Sequence, residues 1–213
     1  MNYPDAFIAA LTRQIGPAPA RHFGRRYLLW VFSVIGLVIG LTLLLPRPDL
    51  TQRVLQPDFL LQFLLWLGVF FVSGTSAFVL ATPRWPMARG IKLGMCALFA
   101  GLAVFAAWLA LTFTATGAHY GHGSIDLACI CIVSGMGILV STLLTLILQN
   151  NARSTYPLLM AFFMSTAGAG VGMMAVMLTC GHEAPGHVII SHFLPALAFG
   201  MGLTLAARRW WHW

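Results

Sequence analysis

The chain has 213 residues, of which 59% are hydrophobic and only 8% charged, with a net charge of +7. So few charges cannot cover the apolar surface of a soluble fold of this size, and no length remains for a separate soluble domain. The surplus of Lys and Arg needs no nucleic acid to explain it, because its distribution along the chain is that of a membrane topology signal.

Residues 1–26 form a polar leader with one apolar stripe. Phe7, Ile8, Leu11 and Ile15 share a face if Pro4 to Ile15 is helical, with Pro4 near its start and Gly16-Pro17 stopping it. A segment of this kind lies on a membrane surface or docks in a partner's groove, and composition leaves both open. Gly16 to Gly24 then serves as a linker, and Arg21, Arg25 and Arg26 favour contact with an inner leaflet.

Residues 27–213 read as six transmembrane helices with a short tail: Tyr27 to Leu45, Phe59 to Ala81, Ile91 to Thr114, Ala128 to Leu148, Pro157 to Leu178 and Val188 to Ala207. Each approaches the roughly 20 apolar residues that a hydrocarbon layer of about 30 Å requires. Backbone groups in lipid must be satisfied within a segment, so helices are the default and the expected class is an all-α membrane protein. The first stretch has no small-residue cleavage site and exceeds a signal h-region, so it is expected to be retained as a span. Gly36 and Gly40, Gly90 and Gly94, Gly168 with Gly170 and Gly172, and Gly200 with Gly202 allow close helix approach. Bundle packing is the plain reading of them and a dimer face the other, so the homo-oligomeric state stays open.

Ten of the 12 basic residues fall on one side of these spans: Arg13, Arg21, Arg25, Arg26, Arg84, Arg89, Lys92, Arg153, Arg208 and Arg209. Arg47 and Arg53 alone fall on the other, where Asp49, Asp58, Asp126 and Glu183 also lie. The positive-inside rule therefore places both termini in the cytoplasm. Trp210, Trp211 and Trp213 fit an interfacial anchor. The spans carry no acidic or basic side chain beyond their margins, which counts against ion-coupled transport, since such groups normally mark a pathway.

The outer loops gather the reactive side chains. Cys129 and Cys131 open the fourth span and Cys180 opens the last outer loop, whereas Cys96 reads as a small buried hydrophobe of the third span. Residues two apart on a helix are separated by roughly 200°, so Cys129 and Cys131 cannot both face Cys180. Cys129, nearer the water boundary, has a slight preference. A bridge is chemically permitted if the outer space is an oxidising periplasm. Cys129, Cys131 and Cys180 are thus candidate sensing thiols, with a static staple or two free buried thiols as the plain alternative. His182, Glu183 and His187 follow Cys180 closely, and Cys180 with these three forms a candidate metal set, since thiolate and imidazole suit zinc- or copper-like ions. His119, His122 and Asp126 lie in the preceding outer loop, and His192 reads as a packed or interfacial side chain of the sixth span. No compact metal or redox motif is present, so no resident cofactor is expected, and a metal ion enters as a signal.

The outer loop Arg47-Pro-Asp-Leu50 with Pro57-Asp-Phe59, the cysteine opening the fourth span, Ala152 to Pro157, the glycine-rich fifth span and Cys180-Gly-His-Glu183 resemble, in order and spacing, the NrsF-type anti-sigma factor family. The resemblance implies an inner-membrane protein whose cytoplasmic N-terminal segment holds an extracytoplasmic-function sigma factor. It makes Phe7, Ile8, Leu11 and Ile15 the candidate partner contacts. It also implies that one cysteine of the fourth span, Cys129 or Cys131, and Cys180 detect the signal. The expected function is an anti-sigma factor and not an enzyme, with the sigma factor and the bilayer as partners and no direct nucleic-acid contact. A thiol- or quinone-linked membrane oxidoreductase and a small metal transporter are the alternatives. Neither has a redox CxxC or intramembrane ligands to support it.

Overall fold

The computed structural model describes residues 23–81, 87–115, 125–149 and 156–210. These form helices α1 (Phe23–Leu44), α2 (Leu50–Arg53), α3 (Pro57–Leu80), α4 (Met87–Ala115), α5 (Leu127–Gln149), α6 (Pro157–Thr179), α7 (Pro185–His187) and α8 (Leu194–Trp210). A π-helical turn, Val188–Phe193, joins the last two. Among the described residues there is no strand. Five helical stretches are long and apolar enough to cross a bilayer: Gly24–Leu44, Pro57–Leu80, Leu127–Leu148, Pro157–Thr179 and Pro185–Ala206. They fit a multi-pass membrane protein. The remaining expected span falls on α4, whose described apolar part, Lys92–Ala107, is shorter than these five.

The helix ends follow local chemistry. Pro57 and Pro157 occupy the first turns of α3 and α6, where a fixed φ and a missing N–H cost nothing. Asp126 precedes α5 and its Oδ1 accepts the N–H groups of Ala128 (2.9 Å) and Cys129 (3.4 Å), satisfying two of the donors a helix start leaves unpaired. At Cys180 the backbone turns extended (φ −99°, ψ 127°) and α6 stops.

α6 is the central helix. In its span window 78% of residues are buried, against 17% in each of the first and last spans, as expected for a helix apolar on every side. Its glycines make that position available. A Cβ on Gly172 would stand 2.5 Å from the Val133 carbonyl oxygen of α5, and one on Gly170 3.2 Å from the Trp66 carbonyl oxygen of α3. Two neighbours therefore pack against α6 nearly backbone to backbone. α8 covers a third side, where the Ser165 and Thr204 hydroxyls share a 3.1 Å hydrogen bond. α4 packs on α3. α1 reaches α3 through Trp30, which is fully buried, with its ring 4.8 Å from that of Phe70 and 5.8 Å from that of Phe78. Gly36, Gly40, Gly200 and Gly202 face open space, so close packing within the bundle uses the α6 glycines and not these.

Candidate functional site

Three chain segments meet at one end of the bundle: the start of α5, the end of α6, and the α7–π turn that opens the last span. Cys129 and Cys180 are buried free thiols there. With His187 and His192, also buried, they bring one donor atom each to within 4.8 Å of every other. Cys180 Sγ lies 3.6 Å from His187 Nε2, and the His187 and His192 rings are 4.9 Å apart and perpendicular. A second group, Asp126, His182 and His187, adjoins the first and shares His187 with it.

The expected residues are thus sorted by the fold. Cys129 is 3% exposed and Cys131 points outward, as the roughly 200° between residues two apart demands. Of the metal set expected from sequence, Cys180 and His187 sit in the buried cluster, exposed His182 sits beside it, and Glu183 is held elsewhere by arginines. His192, expected to be merely a packed or interfacial side chain, is 4% exposed and also belongs to the cluster. The π turn is the reason. In an α-helix residues five apart diverge by roughly 140°, whereas the wider i→i+5 turn brings His187 and His192 towards one side. Cys96, expected to be buried, is exposed on α4, on the flank that α3 leaves uncovered. His119 and His122 and the segment containing Phe7, Ile8, Leu11 and Ile15 lie outside the described residues.

Asp126 ties the cluster to its helix. Besides capping α5, its Oδ2 accepts the Cys129 thiol at 3.5 Å, and its backbone N–H donates to Ser191 Oγ at 3.1 Å. Burial raises its carboxyl pKa, but the N–H groups of Ala128 and Cys129, the thiol and nearby His187 together outweigh this and hold it below the usual value.

A charged latch spans the same end. The Arg47 side chain is 3% exposed and pairs bidentately with Asp49 (Nε 2.6 Å, Nη2 2.9 Å) and through Nη2 with Glu183 (2.6 Å). Arg53 also pairs with Glu183, its Nε at 2.7 Å, and reaches Asp58 at 3.4 Å. The Arg47 guanidinium holds the Asp49 carboxyl below its usual range, against a smaller opposing effect of burial. Arg47-Pro-Asp and Cys180-Gly-His-Glu, far apart in sequence, therefore form one structure, with Glu183 anchoring the loop that begins at Cys180.

A family model described as a negative regulator of sigma F, NrsF, matches residues 11–213. No curated protein and no solved structure matches the chain. With nearly its whole length matched, the chain belongs to the NrsF family of negative regulators of sigma F, and its activity is negative regulation of a sigma factor.

Proposed function

We propose that the protein is an inner-membrane anti-sigma factor that holds an extracytoplasmic-function sigma factor through its cytoplasmic N-terminal segment and releases it on an outer thiol or metal signal. The family match over residues 11–213 carries this reading. In it α4 supplies a sixth span: its 29 residues give about 43 Å of helix, more than a hydrocarbon layer needs. An even number of spans puts both termini on one side, and the basic residues assign that side to the cytoplasm. A sigma-factor regulator acts by binding, and no catalytic residue is assigned.

Phe7, Ile8, Leu11 and Ile15 provide the apolar stripe for the sigma factor, and Cys129 and Cys180 provide the receiving thiols. α5 supports communication between them. It begins at the cluster with Cys129, and near its other end the Ile147 carbonyl accepts a 3.4 Å hydrogen bond from Arg26, at the root of the N-terminal segment. In this reading a change in the packing of Cys129 shifts α5, the helix that touches this root, and so couples the cluster to the N-terminal segment.

The test is a pull-down of the detergent-solubilised chain from its native cells, beside a chain carrying Phe7→Ala, Leu11→Ala and Ile15→Ala. A sigma factor recovered with the intact chain alone is the expected result. Recovery of no sigma factor under either reducing or non-reducing conditions would overturn the reading.

A further inference from the structure

The buried Cys129, Cys180, His187 and His192 have the composition and spacing of a tetrahedral metal sphere. With bonds of about 2.3 Å to sulfur and about 2.0 Å to nitrogen, neighbouring donors in such a sphere stand about 3.3–3.8 Å apart. The donors here lie within 4.8 Å of one another, and Cys180 Sγ and His187 Nε2 are already 3.6 Å apart. The widest pair has to close by about 1 Å, which small side-chain rotations supply.

Three further observations point to a ligand. His192 is 4% exposed, yet its Nε2 has no hydrogen-bond partner among the described residues, a cost that a bound ion would remove if this nitrogen turned to it. A π turn, frequent at functional sites, is what aligns His192 with His187. The Asp126 carboxylate, within 4.8 Å of a donor nitrogen of His187, stands where second-sphere carboxylates orient metal-bound imidazoles.

Charge selects the ion. Both thiols lose their protons to solvent as two metal–sulfur bonds form, and the imidazoles bind neutral. A divalent ion then gives a sphere of zero net charge, which suits a site buried at the edge of an apolar bundle. A monovalent ion would leave a buried negative charge. Thiolate with imidazole, without a carboxylate in the inner sphere, selects a thiophilic metal over magnesium or calcium.

We propose that Cys129, Cys180, His187 and His192 form a tetrahedral site for a thiophilic divalent cation, zinc or cadmium. Binding ties the start of α5 to the end of α6 and the start of the last span. The site's regulatory meaning rests on the signalling function proposed above: the cation is the signal, and α5 is the element it moves. The binding itself does not depend on that function.

The experiment titrates the reduced, detergent-purified full chain with cobalt(II). One equivalent should give the intense visible bands of tetrahedral cobalt with sulfur-to-cobalt charge transfer, and zinc or cadmium should displace it. His192→Gln, His187→Gln or Cys129→Ser should weaken binding at least tenfold, while Cys131→Ser leaves it unchanged. Zinc-edge X-ray absorption on the unsubstituted chain needs no variant to fold and should show two sulfurs at about 2.3 Å with two nitrogens at about 2.0 Å. A shell of oxygens alone, no tetrahedral cobalt spectrum, or a spectrum that Cys131→Ser abolishes and His192→Gln spares would overturn the site. Sigma factor recovered in the same preparations separates the two readings. Metal bound with no sigma factor supports the site and overturns its regulatory role, whereas sigma factor held by a chain that binds no metal overturns the site and leaves the anti-sigma function standing.

Discussion

Arg47 carries a charge into a nearly closed environment, and its two carboxylate partners determine what that costs. Removing both, as Asp49→Ala with Glu183→Ala, leaves a buried guanidinium without a countercharge and should cost about 3–5 kcal/mol. Arg47→Met removes the charge with its stem volume kept and should cost less, because Asp49 and Glu183 are partly exposed and regain water. Denaturant unfolding in detergent measures both, and the reverse order would show that Arg47 is solvated after all. The Asp49 carboxyl is held below its ordinary 3.8, so its contribution is complete above that pH and is lost as the pH falls through the depressed value. The Arg47–Asp49 pair therefore survives mild acid. Its residues are conspicuous in the sequence as rare charges in an apolar chain. That Arg47 meets Glu183 is not, because the two are 136 residues apart and only the fold pairs them.

At the level of elements, hydropathy marks the helices well, since long apolar runs in lipid have one backbone solution. The expected Pro157 to Leu178 differs from α6 by a single residue at its end. It does not say which face of α6 takes which neighbour. Gly172→Ala should cost about 1–3 kcal/mol, because its Cβ would meet the Val133 carbonyl oxygen at 2.5 Å and backbone yields poorly. Gly36→Ala, with nothing within 4 Å, should be neutral or slightly stabilising. Equal unfolding midpoints for the two variants would contradict the close α5–α6 packing. The π turn is less legible still, for a 3.6-residue pattern has no mark for one inserted residue, and on an α-helix His192 lies off the face of His187. Deleting the exposed Ile190 should convert the turn to α-helix and leave His187 and His192 four residues apart, about 40° round the helix and still on one face. Circular dichroism should then stay helical and tetrahedral cobalt binding should persist, and a helical variant that loses cobalt would show that a shared face of the two histidines is not what holds the ion.

For the whole molecule, the decisive quantity is sidedness, because the proposed function needs the cysteine cluster outside and the N-terminal segment inside. In that proposal both rest on one imbalance in the six-span reading of the sequence, ten basic residues on one side and Arg47 and Arg53 on the other. Even that pair is engaged with acidic partners, so it competes weakly for the cytoplasmic side. Thr51 in α2 and Tyr156 before α6 are both exposed and lie at opposite ends of the bundle. In a chain carrying Cys96→Ala and Cys131→Ser, which removes the exposed native thiols, a membrane-impermeant maleimide added to intact spheroplasts should label Thr51→Cys and not Tyr156→Cys. Labelling of Tyr156→Cys alone would place the cluster in the cytoplasm and the N-terminal stripe outside, where no sigma factor could reach it. Labelling of both would mean that α4 does not cross the membrane, since one crossing fewer between the two positions brings them to the same side. The length of α4 argues for crossing, because its 29 residues form one unbroken helix whose backbone polar groups are paired internally. A helix that long lying on the surface would instead need a polar face, which its apolar stretch Lys92–Ala107 does not offer.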